Sequence, residues 1–270
     1  MNRLPLGQRV RMLETLNEGV SLRATARLLK CSNQSVKRFK RNMGRYCLDL
    51  HERTIRGVYP DQVQCDESWT LVHGREKARS LTWDERAGNN WIWSALVMNS
   101  RLCVAWLVGK RTIECADAFL RDVERRCVGD FTIVTDGCFS YPRAVREVFS
   151  SRPNVNHIVL SPTGRSQDAK HSTNHVERHN GKMRQNISAM RRNSNALAKN
   201  YDGLCDAVSL HMGLHNFMKI HPAHGTAPAV AAGCIDVPMI AEELIVGMDE
   251  FIASHGEELD IEEEQEACIV

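Results

Sequence analysis

The sequence predicts a mixed α/β fold, with a basic all-α module ahead of it and an acidic helical end behind. Three observations predict this. Apolar residues recur at helical spacing through the first 45 residues. From about residue 60 the pattern becomes that of short strands and helices in the order βββ-α-β-α-β-α. No Lys or Arg follows Lys219, while 12 of the 33 acids do. Residues 1–219 therefore hold all 35 basic side chains against 21 acids, a net charge of +14 that suits a polyanionic partner.

The bulk numbers narrow the class further. At 270 residues, 43% hydrophobic and 25% charged, the chain has the composition of a globular protein with room for one catalytic domain and a small module. No run approaches the roughly 20 apolar residues of a membrane span, so no membrane partner is expected. The N-terminal MNRLPLGQRVRM lacks the apolar stretch of a signal peptide. The expected location is intracellular, in the cytoplasm or nucleoid if the host is bacterial. The ten cysteines include no CxxC pair, and several sit in apolar runs, so reduced thiols and no structural zinc are expected.

Residues 1–48 read as a helix-turn-helix DNA-binding domain. The first 45 residues carry 11 basic side chains and only Glu14 and Glu18 as acids. Val10, Leu13 and Leu16, then Leu22, Ala26 and Leu29, then Val36, Phe39 and Met43 mark three helices. Ser21 and Ser32 are the expected N-caps, and the turn falls around Lys30–Ser32, where Gly is more usual. With Ala26 allowing a close crossing and Val36 and Phe39 turned inward, Asn33, Gln34, Lys37, Arg38 and Arg41 are the residues expected to meet DNA.

Residues 60–220 read as the catalytic domain. Val63–Val72, Trp91–Met98 and Leu102–Val108 are expected strands, the last two joined by a hairpin at Asn99–Arg101. A helix over Thr112–Cys127, a strand over Phe131–Thr135, a helix over Tyr141–Phe149 and a strand over Val155–Leu160 follow. Long helices are expected over about Thr173–Met190 and Asp202–Met218. This order suggests an RNase H-like (retroviral-integrase-like) fold with the first and fourth strands adjacent at the centre of the sheet. Residues 221–270 then form a connection, a short helix near Ile240–Ile252 and an acidic tail.

That fold nominates the chemistry. Asp66 lies on the first strand and Asp136 at the carboxyl end of the fourth, where open α/β sheets place their sites. The expected third acid is Glu177, about 100° round its helix from the apolar Val176. Three hard oxygen ligands suit Mg²⁺ or Mn²⁺. Glu67 is the alternative to its neighbour Asp66, but the strand's alternation sends it to the other face. His171, His175 and His179, and His211 and His215, step by four, yet are not expected to bind metal. Trp91 and Trp93 are expected in the core.

The blocks Cys65–Trp69 (CDESW), Gly109–Thr112 (GKRT), Thr135–Gly137 (TDG) and Val176–Asn180 (VERHN), with the basic run from Met183 through Arg191 and Arg192 to Lys199, resemble insertion-sequence-one transposases of the DDE superfamily in the same order. The resemblance covers roughly residues 60–220. The 40 residues between Asp136 and Glu177 exceed the family's usual spacing, and the N-terminal zinc-binding cysteines of some relatives are absent.

The resemblance implies an enzyme of DNA transposition and recombination that cuts double-stranded DNA at the ends of its mobile element and joins them to target DNA. Asp66 would bridge two metal ions, with Asp136 binding one and Glu177 the other. Arg178, Lys182, Arg184, Arg191 and Arg192 would hold phosphates. Synapsis of two ends implies a homodimer or higher homo-oligomer. The alternatives on the same fold are a metal-dependent nuclease and a domesticated DNA-binding protein.

Overall fold

The computed structural model describes residues 3–73, 85–160, 171–191 and 197–267, with side chains described as far as His255. Three helices come first: α1 (Leu6–Asn17), α2 (Leu22–Leu28) and α3 (Asn33–Thr54). Ser21 and Ser32 cap α2 and α3, their hydroxyls accepting from the backbone N–H of Ala24 and Ser35 at 3.3 and 2.9 Å. Lys30 makes the turn between them at φ 51°, a conformation easier for glycine, and the Cys31 N–H closes it onto the Ala26 carbonyl. Ala26, Val36 and Phe39 are buried between the helices.

Helix α3 runs past the expected boundary at residue 48, because Tyr46, Cys47 and Leu50 continue its apolar stripe into the body of the protein. Its last carbonyls are satisfied from outside. The fully buried Arg126 guanidinium donates to His51 O and Ile55 O at 3.3 and 3.0 Å, while also pairing with Glu52 and Asp122. Where α3 crosses a later helix, a side chain has no room. A Cβ on Gly44 would strike the Asp206 backbone, and one on Gly213 would meet the Cys47 side chain at 2.5 Å. These two glycines bring the helices together.

Five strands form one sheet: β1 (Gln62–Val72), β2 (Gly88–Val97), β3 (Cys103–Gly109), β4 (Thr132–Thr135) and β5 (Asn156–Val159). The order is β3-β2-β1-β4-β5, with β1–β2 and β2–β3 antiparallel and β4 parallel to both β1 and β5. The first and fourth strands are neighbours, as expected, and this mixed sheet fits an RNase H-like core. Arg101 turns the β2–β3 hairpin at φ 61°.

Helices α4 (Ile113–Arg126) and α5 (Tyr141–Val148) contribute Phe119, Leu120 and Tyr141 to a core with Val63, Cys65 and Trp93. Met12, Leu13 and Met43 belong to the same core, so the first three helices and one face of the sheet are packed continuously. The other face carries α6 (Asn174–Asn186) and α7 (Tyr201–Gly213), whose Val176, Met183, Val208 and Met212 meet Ile92, Leu96 and Val108.

Three helical spans differ from expectation. Helix α6 stops at Asn186 rather than Met190, because Ile187 is extended and a 3-10 turn (Ser188–Met190) follows. After Gly213, α7 widens into a π-helical turn (Leu214–Met218). Beyond the short α8 (Pro228–Ala231), α9 spans Ala241–Ala267, well past the helix expected near residues 240–252. Leu244, Ile245 and Met248 anchor it, Arg9 pairs with Asp249 at 2.6 Å, and the Glu-rich sequence beyond favours continuation. Among the described residues, no helix is long and apolar enough to cross a membrane.

Candidate functional site

The parallel register of β1 and β4 creates the site. Cys65 lies opposite Thr135, so the next residues, Asp66 and Asp136, emerge beside each other where β4 ends. β1 continues past this point and its alternation sorts its polar residues. Val63 and Cys65 enter the α4–α5 core, and Glu67 follows them on that face. Gln64, Asp66 and Thr70 face α6. There the Gln64 Oε1 accepts the N–H groups of His175 and Val176 at 3.1 and 3.2 Å, capping the first turn of α6 from a strand. Thr70 Oγ1 donates to the Ala189 carbonyl at 3.1 Å. Helix α6 is thereby tied along β1 at both ends.

Between these ties, Asn180 Nδ2 donates to Asp66 Oδ2 at 2.8 Å, and Asn180 is fully buried. Burial pushes the Asp66 carboxyl up to about 6; the Asn180 hydrogen bond works against this, while Glu67 and Asp136 add to it. On the opposite face Glu67 is paired with Arg111, at 2.7 Å to Nε and 2.6 Å to the terminal nitrogen, and Arg111 lies 4.7 Å over the Trp91 ring. Burial raises the Glu67 carboxyl too, with Asp136 reinforcing it and Arg111 opposing it. Asp136 accepts the Cys138 N–H at 3.0 Å through Oδ1.

The expected acids are only partly gathered. Asp66 and Asp136 are neighbours at the strand ends. Glu177, in the first turn of α6, is exposed, and its Oε1 accepts the Thr173 hydroxyl at 2.6 Å. The ligand atoms of Asp66, Asp136 and Glu177 do not all come within 4.8 Å of one another. Among the described residues, the group that does is Glu67, Asp136 and Cys138. Glu67 Oε2 and the Tyr141 hydroxyl are buried there without a hydrogen-bond partner.

Crowded carboxylates whose proton affinity is raised, beside an unsatisfied carboxylate oxygen, are a donor set that fits a hard divalent cation. The Cys138 thiol, raised by burial, is a soft donor and does not suit such a hard ion. Gln64, Asn180 and Arg111 were not singled out from the sequence. Asn180 closes the VERHN block and Arg111 lies within GKRT, so the blocks carried the signal without the roles.

The basic residues divide. Gln34 and Lys37 are exposed on α3, while Asn33, Arg38 and Arg41 are half-buried; burial raises the nearby Asp206 carboxyl to about 7, with Arg45, Lys40 and Arg41 working against it. Lys40 and Arg45, on the same helix, turn to α7, where Lys40 donates to the Gly203 carbonyl at 3.2 Å and Arg45 approaches Asp206 at 3.9 Å. Arg178 and Lys182 are exposed on α6, Arg184 is half-buried, and Arg191 donates to the carbonyls of Gln185 and Gly19. Arg192 lies outside the described residues. Trp93 is fully buried and Trp91 half-buried under Arg111.

A family model described as a DDE domain, of the IS240 transposase group, matches residues 86–214 and supports a DDE transposase superfamily. The match contains Asp136 and Glu177 and begins after Asp66. No curated protein matches the chain. Among solved structures, a chain of the simian T-cell lymphotropic virus intasome in complex with PP2A regulatory subunit B56 gamma is 15% identical, with a TM-score of 0.43, over 68% of this chain. This protein covers 59% of that chain's length. A pre-cleavage Mos1 transpososome is 13% identical with a TM-score of 0.32, and a Mos1 transposase paired-end complex with the left transposon end is 11% identical with a TM-score of 0.26. Each of these covers 87% of this chain and 80% of the other.

Proposed function

We propose that this chain is a DDE transposase, and that it resembles the insertion-sequence-one branch in the blocks around its acids. The observation that carries the reading is the β1–β4 register, which sets Asp66 beside Asp136 at the strand ends, in a chain whose residues 86–214 match a DDE domain. Asp66, Asp136 and Glu177 would hold two Mg²⁺ or Mn²⁺ ions. Bound there, such ions activate an attacking oxygen and stabilise the leaving one in an in-line displacement at phosphorus. Asn180 orients Asp66 through the 2.8 Å hydrogen bond, so that its second oxygen is presented outward from α6. Glu177, exposed on the first turn of α6, would have to leave its hydrogen bond with the Thr173 hydroxyl to complete the set.

Glu67 is a rival ligand, favoured by its place within 4.8 Å of Asp136 and Cys138 and by its unsatisfied Oε2. Its other oxygen already neutralises Arg111, so in this reading it supports the strand end instead. Residues 1–48 would read the element ends through Asn33, Gln34, Lys37, Arg38 and Arg41, residues 60–220 would carry the catalytic body, and residues 221–270 would form a helical and acidic end. Arg178, Lys182, Arg184, Arg191 and Arg192 would hold DNA phosphates. The active form would be a homodimer or larger assembly acting on double-stranded DNA.

The test is a cleavage and strand-transfer assay on DNA carrying the sequences that flank the gene, with Mg²⁺ or Mn²⁺, for wild type and Asp136→Asn. Joined products that need metal and vanish in the variant support the transposase. Metal-dependent cut ends without joining indicate a nuclease. Salt-sensitive binding with no cleavage by either protein indicates a DNA-binding regulator.

A further inference from the structure

Helix α6 has a second polar flank. There, against α7 and the π-helical turn, lies a cavity of about 250 Å³ lined chiefly by His179, Lys182, His211, His215, Lys219 and His221. Three of the imidazoles are packed together: the His179 ring lies 4.5 Å from that of His215 and 5.7 Å from that of His211, centroid to centroid. The π-helical turn matters here, because it carries His215 and hands the chain on to Lys219. His215 Nε2 donates to the Arg101 carbonyl at 2.9 Å, and His179 Nε2 meets the Met212 sulfur at 3.2 Å. His211 is 9% exposed, and its Nε2 is buried with no partner. A polar atom in that position costs free energy unless a ligand or water meets it.

The charges around the cavity have one sign. Lys182 and Lys219 face His211 and His215; Lys182 also lowers His221, and Arg101 and His175 face His221 from the hairpin and the start of α6. The acids nearby lie behind these cations, with Glu18 facing Lys219 and Asp61 facing Arg101. Among the described residues, no carboxylate lines the cavity itself. Two ammonium groups repel a metal ion. Among the described residues, moreover, these imidazoles do not come within ligating distance as a group. Ammonium and imidazole N–H donors without an acid are the donor set of a tetrahedral oxyanion. Along α6, the helical rise puts Lys182 about 7.5 Å from Glu177, turned about 140° round the helix from it.

We propose that this pocket is a phosphoryl-oxyanion site that takes one backbone phosphate of bound DNA, held by Lys182 and Lys219 with His211 as the buried donor. The DNA source rests on the transposase reading; the oxyanion site does not. It would grip DNA on the other flank of α6 from the acids.

The full chain would be titrated with inorganic phosphate and with sulfate, following the imidazole nitrogens of His211 and His215 by long-range ¹H–¹⁵N NMR. Saturable shifts are expected. Duplex DNA should displace the anion, and the shifts should vanish in Lys182→Gln/Lys219→Gln. That double variant should also bind duplex DNA more weakly, with the slope of log affinity against log salt reduced by about 2. Lys182 is exposed, so Lys182→Gln alone supplies a variant whose fold is not at stake and should lower the slope by about 1.

Absence of any anion-dependent shift overturns the site. So does a shift produced by Zn²⁺ and reversed by chelator while phosphate has no effect. Saturable phosphate binding that DNA does not displace, with an unchanged salt slope, overturns the DNA source and assigns the pocket to a free phosphorylated small molecule. Failure of wild type to cut DNA while the anion shifts persist would remove the transposase reading and leave the oxyanion site standing.

Discussion

The two flanks of α6 are electrostatic opposites. At the strand ends, burial and neighbouring acids push the Asp66 carboxyl up to about 6. In the histidine pocket, burial together with His215, Lys219 and Lys182 pulls His211 down to about 3. The α6 flank at the acids leaves Asn180 Oδ1 buried without a partner, and the histidine flank leaves His211 Nε2. Structural charge pairs in this protein look different. Arg126 with Glu52 and Asp122, and Arg9 with Asp249, are matched within the chain. Like-charge crowding that the chain leaves uncompensated marks where an ion of the opposite sign belongs, a cation among the acids and an oxyanion among the bases.

The largest expected effect lies at the acid flank. Asp136→Asn should lower metal-dependent cleavage by about 10³-fold or more, the several kcal/mol that loss of a bound ion would remove. Single-turnover cleavage of wild type, Asp136→Asn and Glu67→Gln measures it. If Glu67→Gln abolishes cleavage while Asp136→Asn cuts normally, the ligands lie on the other face of β1.

Next in size is a pH effect on the basic flank. The folded pKa of His211 is depressed to about 3 from 6.5, so the folded state binds fewer protons than the unfolded chain. Its contribution to stability is fully present above pH 6.5 and is lost as pH falls from there toward 3, by about 1.4 kcal/mol per pH unit. His215 is depressed to about 4 and His179 is lowered too, so the difference in slope between wild type and His211→Gln, from urea unfolding at pH 7.5, 6.5 and 5.5, reads the His211 share. Sulfate should flatten it, because a bound dianion favours the protonated ring, and a slope unmoved by sulfate would separate the two flanks.

Smaller again is the effect of the residue between them. Asn180→Ala should weaken Mn²⁺ binding by about 10–100-fold. Mn²⁺ titration by electron paramagnetic resonance checks it, and unchanged affinity would mean that Asp66 needs no orientation from α6. Smallest is Arg111→Gln. Its partner Glu67 is buried but Arg111 itself is 36% exposed, so the expected loss is about 1 kcal/mol, discounted for solvent screening. Thermal unfolding with and without Mg²⁺ checks it, and added metal should offset the loss by neutralising the freed carboxylate.

Much of this arrangement is legible along the chain. Strand and helix periods, the caps at Ser21 and Ser32 and the opposite faces of Asp66 and Glu67 follow from local patterns, because side-chain direction repeats every two or 3.6 residues, while the β1–β4 adjacency was expected from the likeness of the element order to an RNase H-like fold. The extension of α3 to Thr54 was less legible, since that helix end depends on Arg126 packing against it, and α9 is held near its start by Leu244, Ile245 and Met248.

What the sequence determined by itself, then, is the order of elements and the candidate acids placed on them. Only the tertiary structure decided which groups are brought together. The choice of Asn180 over Glu177 as the α6 side chain touching Asp66 turns on how α6 is rotated against β1, and Gln64 and Thr70 set that rotation. The histidine pocket joins His179 to His211 and His215 across two helices, through a π-helical turn that no local period announces. The physical reason is the same in both cases. A helix or strand is specified by near neighbours in sequence, whereas a site is specified by the packing angle between elements, which the whole core sets at once.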